Sequence, residues 1–491
     1  MRLYENFIDG EWVTSRSDAT LENVNPATGD ILGLVRLSRA EEAREAIAHA
    51  AAAFEKWRST PAPIRGQIVL RAAALLAERK ERVAALITRE EGKTLGESMG
   101  EVERTIRILE YAAGEARRLR GETLPSELPD NFIYTVRQPL GVVGIITPWN
   151  VPLAIPAWKI APALVAGNTV VLKPSPLVPE TATCLVELFA EAGVPPGVLN
   201  MILGEGETVG QEIVQHPHVR ALSFTGSTAV GLKLYEHAAG RGIKIQCEMG
   251  GKNAVLVLED ADVSLAVDAT VQGAFGATGQ RCSATSRAIV VEAIADRFVE
   301  LMRERAARLR VGPGEAPETD MGPVVDRNHL DAVLSYIALG REEGAELISG
   351  GRRLTEGRLG RGYFVEPTIF DHVRPTMRIA QEEIFGPVLS IIRVKDFDEA
   401  VRVANSVRYG LSCSIFTRDV SRVFTFADRV EAGIVHINSP TTGGEAHVPF
   451  GGLKSSGIGP REQGSTQLDF YTELKVVYVD YTGRARRTNL Y

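Results

Sequence analysis

Apolar residues recur at helical spacing through three early runs, "AEEAREAIAHAAAAFEKW" from Ala40 to Trp57, then Pro61 to Arg89, then Leu95 to Leu119. Alanine, leucine, glutamate and arginine dominate them, and these are strong helix formers, so the pattern predicts a helical scaffold after the opening strand-like "NFIDGEWV". From Gly141 the pattern changes to alternation. Strand candidates "VVGIIT", "TVVLK", "VLNMIL", "ALSFT" and "KIQCEM" are separated by helix candidates such as Pro179 to Ala192 and Ser227 to Ala239. That alternation predicts a parallel α/β sheet of nucleotide-binding type, in which ligands sit beyond the carboxyl ends of the strands.

A second alternating region contributes "AVLVLED", "RAIVVE", "VEPTIF", "VLSIIRV" and "GIVHIN", and ends near the glycine-rich "VPFGGLKSSGIG". The last segment, "LKVVYVDYTGRARRTNLY", reads as a strand and a basic tail. A lone strand needs a sheet to join, and the earlier "GETLPSELPDNFIYTVRQ" has the look of a protruding hairpin; together they suggest an oligomer contact. From Pro139 to Leu172 the only charged residue is Lys159, but Pro148, Pro152, Pro156 and Pro162 interrupt the run. Each interior proline removes a backbone donor, so buried strand, loop and core helix are expected there rather than a membrane span.

With 491 residues the chain exceeds one hydrophobic core and is expected to form two or three packed units. Lys+Arg 55 against Asp+Glu 62, net charge -7, gives no reason to expect nucleic acid as a partner. The start, "MRLYENFIDGEWV", places acidic residues where an export signal needs an apolar run, so a cytoplasmic location is expected. Cys184, Cys247, Cys282 and Cys413 lie far apart without a CxxC pair, which argues against a zinc site and a disulfide framework.

Two glycine turns, "GEGETVG" at Gly204 to Gly210 and "GSTAVG" at Gly226 to Gly231, follow strand candidates, and neither is a GxGxxG fingerprint. Each sits between a strand and a helix, where backbone N–H groups and the helix dipole attract a pyrophosphate; Ser227 adds a hydroxyl at the N-cap position. Lys173 of "LKPS" could reach a ribose hydroxyl or phosphate, or be a solvated strand-end lysine. An unperturbed thiol is mostly protonated at neutral pH and needs a cation, a helix terminus or a base to become a nucleophile. Cys282 in "GATGQRCSATS" has Arg281 beside it, whereas the other three cysteines fall in helix or strand patterns. Glu248 of "EMGGKN" ends a strand before two glycines and is a candidate base. Asn150 of "TPWN" is either an oxyanion donor or a turn residue.

"TPWN", "LKPS", "FTGSTAVG", "EMGGK", "GQRCSA", "EEIFGPV" and "PFGGLKSSGIG", in this order, resemble the aldehyde dehydrogenase superfamily across essentially the whole chain. The resemblance implies an α/β fold with a Rossmann-type cofactor domain (1–120 and 140–250), an α/β catalytic domain (251–450) and a small β oligomerisation element (121–139 and 470–491). It implies that Cys282 is the nucleophile, Glu248 the general base, and Asn150 with the Cys282 backbone N–H the oxyanion hole. Ile146, Thr147, Trp149 and Lys173 would follow the adenosine half and backbone path, and Gly206, Gly210 and Val230 the adenine side. Phe224, Gly226 and Met249 would border the cofactor, Ser227 would meet the pyrophosphate, and Glu383 with Phe385 would hold the nicotinamide ribose and ring. The implied reaction is NAD(P)-dependent oxidation of an aldehyde through a thiohemiacetal and a hydrolysed thioester, with no metal, in a homotetramer or homodimer.

One position departs from the family. Many NAD-preferring relatives carry a glutamate three residues after the lysine of "LKPS", where this chain has Pro176; its loss removes repulsion toward a 2′-phosphate, so NADP is expected, alone or beside NAD. "IPAWKIAPALVAGNTVV", "GATGQRCSATSRAIVV" and "INSPTTGGEAHVPFGG" look most similar to bacterial α-ketoglutarate semialdehyde (2,5-dioxopentanoate) dehydrogenases. Arg281 could select the substrate carboxylate, tune the thiol or support its loop. Alternatives are a succinate semialdehyde or broad-range aldehyde dehydrogenase, a CoA-acylating relative, a cofactor-independent thiol esterase and a non-catalytic relative. Trp158, where several succinate semialdehyde enzymes carry arginine, counts against the first, and Glu248 against acylation of CoA.

Overall fold

The computed structural model describes residues 2–485, so the end of the basic tail lies outside it. Two sheets and a three-stranded side sheet organise the chain. In the first, five parallel strands run in the order Leu199–Met201, Thr169–Lys173, Val142–Ile146, Val219–Thr225, Lys244–Glu248. Numbered along the chain this is 3-2-1-4-5, the Rossmann order short of its sixth strand, and the order reverses between Val142–Ile146 and Val219–Thr225. Val142–Ile146 and Thr169–Lys173 are buried at every position, as a sheet covered on both faces requires. Val142 and Val171 pack with Ala43, Ile47 and Ala50, whereas Val143, Ile145 and Val170 pack with Ala157, Ile160 and Leu164.

The second sheet orders Thr368–Asp371, Val388–Val394, Thr285–Val291, Asn253–Val257, Ser412–Phe416 and Ile434–Ile437 in parallel, with Glu346–Ser349 antiparallel at one edge. Leu256 and Ile289 face the helix Arg327–Glu342 through Leu330 and Val333, and Val255 and Val290 face Ala266, Phe298 and Met302. Ser412–Phe416 carries Cys413, as its strand pattern suggested, whereas Glu346–Ser349 is a strand that the apolar pattern alone does not announce.

The apolar run 139–172 resolves into the strand Val142–Ile146, the buried helix Ala154–Ala166 and the strand Thr169–Lys173. Pro162 lies inside that helix, so this proline does not break it as the sequence pattern suggested. No helix among the described residues is long and apolar enough to cross a membrane. The C-terminal strand Thr472–Asp480 pairs antiparallel with Asn131–Pro139 along its whole length, and Thr123–Leu124 completes that sheet.

A buried ion pair ties the early helices to the first sheet. Lys93 Nζ donates to Glu101 Oε2 and to the Asn150 carbonyl, both at 2.7 Å, and Glu101 Oε1 accepts from the backbone of Leu153 at 2.9 Å and Ala154 at 3.2 Å. Burial opposes the Lys93 charge, but Glu101 and Glu91 together outweigh it and hold its pKa above the ordinary value. Lys93→Met strands two buried carboxylates and is expected to cost about 3–5 kcal/mol, read as a fall in urea midpoint at unchanged slope. A loss under about 1 kcal/mol, the size of an exposed pair, would contradict this role.

Candidate active site

The carboxyl edge of the first sheet meets the amino edge of the second. Register places Ile146 level with Lys173 and Phe224, and Thr225 level with Glu248, so the residues that follow these strands share one edge. From the second sheet come Cys282, which precedes Thr285–Val291, and Glu383, which precedes Val388–Val394. Together with Trp149, Asn150, Gly226, Ser227, Met249, Ile155, His329 and Phe385, these two line a cleft of about 220 Å³.

The thiol loop is held under strain. Ala277 and Thr278 adopt left-handed backbone, φ 49° and 57°, which costs a non-glycine residue of order 1–3 kcal/mol. Its anchors are the Ala277 N–H on Glu97 Oε1 at 2.5 Å and the Thr278 hydroxyl on the Gly322 carbonyl at 3.0 Å. Asn150 Nδ2 donates to the Gln280 carbonyl at 2.9 Å, and Asn253 Nδ2 to the Cys282 carbonyl at 2.8 Å. An amide nitrogen carries two hydrogens, so the bond to Gln280 uses only one of the two that Asn150 Nδ2 can donate.

The two glycines of "EMGGK" admit protein groups. A Cβ on Gly250 would collide with the Glu383 carboxylate, and one on Gly251 would come within 2.5 Å of the Cys282 carbonyl. Glu383 accepts from the Gly251 N–H at 2.9 Å, and burial pushes its pKa up to about 7 against the pull of Lys252 and Arg408. Trp149, His329 and Phe385 form an edge-on aromatic trio with centroids 5.4–6.0 Å apart, and His329 Nε2 bonds the Phe385 carbonyl at 2.7 Å. His329 carries no signal in the sequence; it lies in a helix far along the chain and no motif surrounds it.

Glu248 is set back from the cleft walls, where its Oε2 accepts from the Gly452 N–H at 3.1 Å. Burial, then the Glu462 charge, raises its pKa well above the ordinary carboxylate value, with Lys159 opposing. Lys159, the single charge in the apolar run, is buried and bonds Ser223 Oγ at 2.9 Å and Glu462, whose other oxygen accepts from Trp158 Nε1 at 2.7 Å. Arg281 forms no part of the cleft lining; its guanidinium lies 3.6 Å from Glu97, the same carboxylate that holds the Ala277 N–H.

The other cofactor candidates lie along a second cavity and the turn that joins it to the cleft. Ile146, Gly206, Gly210 and Val230 line a second cavity of about 370 Å³, with Lys233 and His237. The Gly226 turn and the N-terminus of Thr228–Arg241 lead from it to the cleft, and Ser227 caps that helix by accepting from Val230 N–H at 3.4 Å. "GEGETVG", expected as a plain turn, is a short wide helical turn over Gly206–Gly210. Thr147 and Thr225 hold buried hydroxyls without partners at the same edge. Lys173 Nζ spends two donors on the carbonyls of Pro174 and Gly204, and burial lowers its pKa to about 8 with Glu205 opposing. Phe224 lies beneath the turn, its ring within 2.5 Å of where a Gly226 Cβ would stand. No group of three or more metal-ligating side chains occurs among the described residues.

The sequence model of the aldehyde dehydrogenase family matches residues 12–477. The chain is 47% identical over 477 residues to an alpha-ketoglutaric semialdehyde dehydrogenase of Bacillus subtilis, covering 97% of this chain and 98% of that one. A Haloferax volcanii alpha-ketoglutarate semialdehyde dehydrogenase is also 47% identical, over 479 residues, with 97% and 99% covered. Among solved structures, a betaine aldehyde dehydrogenase of Staphylococcus aureus in complex with NAD+ superposes with TM-score 0.96 at 37% identity, with 98% and 95% of the two chains covered.

Burial first, then the Glu383 and Glu248 charges, pushes the Cys282 thiol up to about 12, with Arg104 opposing. A raised thiol pKa leaves less thiolate at every lower pH. Iodoacetamide labelling of Cys282 in the ligand-free protein, followed by peptide mass spectrometry, should therefore still accelerate above about pH 9.5. A plateau at the ordinary thiol value, about 8.5, would contradict it.

Proposed function

Because the chain belongs to the aldehyde dehydrogenase family, we propose that it oxidises the semialdehyde 2,5-dioxopentanoate to 2-oxoglutarate, with NAD or NADP as hydride acceptor. One observation carries the reading: near-full-length similarity to relatives named for that substrate coincides with a thiol, an amide donor and a buried carboxylate gathered at the junction of the sheets.

Cys282 Sγ, once deprotonated, adds to the aldehyde carbon, and the new oxyanion takes hydrogen bonds from Asn150 Nδ2 and the Cys282 N–H. A nicotinamide bound beside Cys282 would supply the acceptor for the hydride that leaves this carbon. Glu383 and Phe385 would hold the ring end of that ligand, and Trp149 and His329, packed on Phe385, would border it; Trp149 thus lies in the thiol cleft and not along the adenosine half, where the resemblance put it. The thioester left on Cys282 is hydrolysed by water that Glu248 deprotonates, which requires the carboxylate to swing from Gly452 toward the cleft. Lys159 and Glu462, buried beside it, hold charge that biases when Glu248 carries its proton. A separate base of this kind supports hydrolysis over transfer to a thiol.

Pro176 supports acceptance of NADP, and Lys233 with His237 in the adenine cavity could meet a 2′-phosphate, although Glu207 lines the same cavity. We read 1–120 with 140–250 as the cofactor domain and 251–450 as the catalytic domain. All the parallel strands of the first sheet precede residue 251, and those of the second follow it. Phe132, Leu474, Val476 and Tyr478 on the side sheet are exposed, Tyr478 at 68%, which supports a homo-oligomer built through that sheet. Sedimentation at the mass of one chain would overturn that assembly.

Initial rates at 340 nm with 2,5-dioxopentanoate, succinate semialdehyde, benzaldehyde and pentanal should rank the first highest in kcat/KM and vanish in Cys282→Ala. Preference for the uncharged aldehydes would overturn the substrate. At least a hundredfold better kcat/KM with NAD than with NADP would overturn dual cofactor use.

A further inference from the structure

Next to the thiol cleft, one helix carries a small apolar cluster of which only Ile155 lines the cleft itself. Ile155, which lines the cleft, and Trp158 lie one turn apart on Ala154–Ala166 and cluster with Val151 and Ala446. Phe450 packs on Trp158 with centroids 5.9 Å apart, and the Arg104 guanidinium carbon sits 5.4 Å over the Trp158 ring. Arg104 projects from the neighbouring helix Leu95–Glu115.

The bonding of Arg104 is incomplete. Nη2 reaches Gln463 Oε1 only at 3.4 Å, and Nε is enclosed without a partner. Gln463 Nε2, on the same amide, is likewise enclosed without a partner. Arg104 makes no ion pair among the described residues. Glu101, the carboxylate one turn away, has its oxygens taken by Lys93 and by the backbone of Leu153 and Ala154. Cys282 and Glu101 are the groups whose negative charge would support the buried guanidinium. Three donors, the Nε and Nη2 edge of one guanidinium and the Gln463 amide, therefore have one long bond among them. That edge has the spacing of a carboxylate, and an enclosed fork of this kind is fit to bind one in bidentate fashion. Arg281, the cation closer in sequence to the thiol, already has Glu97.

We propose that Arg104, with Gln463 beside it, receives the distal carboxylate of the aldehyde, and that Arg281 serves the thiol loop through Glu97. The assignment rests on the semialdehyde reading above and names the group that selects the acid. The hydrocarbon part of the substrate then lies along Ile155, Trp158 and Phe450, an apolar wall that ends in a cation.

The test compares wild type, Arg104→Met, Arg104→Gln and Arg281→Met on 2,5-dioxopentanoate and on pentanal, which has no carboxylate. Loss of a charge-assisted pair should lower the acid-to-neutral ratio of kcat/KM by about 10- to 150-fold in Arg104→Met, mostly through KM of the acid. Arg104→Gln, which keeps donors and packing, should lose less and serves if the methionine variant does not fold. Arg281→Met should hold the ratio within about threefold. The proposal fails if the ratio is unchanged in both Arg104 variants, or falls only in Arg281→Met. It also fails if Arg104→Met lowers kcat equally for both aldehydes, which would mark an effect on the thiol. A wild-type enzyme without preference for the acid would instead remove the semialdehyde reading itself.

Discussion

The hydrogen bond from Asn150 Nδ2 to the Gln280 carbonyl, 2.9 Å long, joins the carboxyl edge of one sheet to the loop that opens a strand of the other. The proposed chemistry depends on that junction. Asn150 is itself fixed from behind, since its carbonyl accepts from Lys93, whose charge is balanced by Glu101 at the entry to the helix Ala154–Ala166. On the far side, Asn253 holds the Cys282 carbonyl, and Glu97 holds Ala277 and pairs with Arg281. A strained loop is thereby clamped between two rigid sheets, and the thiol is placed next to an amide donor without either being free to drift.

The same junction explains the electrostatics. Closing two sheets edge to edge removes water from several ionisable groups, so burial is the largest influence on Cys282, Glu248 and Glu383 alike, and each is pushed toward its neutral form. Lys159 and Glu462 pair directly behind the carboxylate proposed as base, where either one left alone would be a costly buried charge. Arg104 differs from these groups in having no such partner.

Much of the fold was legible because parallel strands buried on both faces read as short apolar runs, and the helices between them carry caps such as Ser227. The motif residues that end first-sheet strands, Asn150, Ser227 and Glu248, could be picked out by the rule that ligands sit beyond carboxyl ends. Cys282 and Glu383 precede their strands, so that rule would never have found them; a lone thiol beside an arginine, and family resemblance, did. Lys159 announced itself as a charge in an apolar run, but its partner Glu462 lies some 300 residues away and only folding pairs them. His329 and Arg104 sit on ordinary amphipathic helices, where a polar residue reads as a solvated face until the neighbouring elements are in place.

The proposed reaction passes through a thioester at Cys282 that a separate carboxylate releases. The most direct test is mass spectrometry of Glu248→Gln quenched during turnover of 2,5-dioxopentanoate with NAD(P), digested and mapped. The account predicts one 2-oxoglutaryl group on the Cys282 peptide, appearing with a single equivalent of NAD(P)H. Reduced cofactor released with every cysteine unmodified and undiminished turnover, or an adduct on Cys184, Cys247 or Cys413 instead, would contradict it.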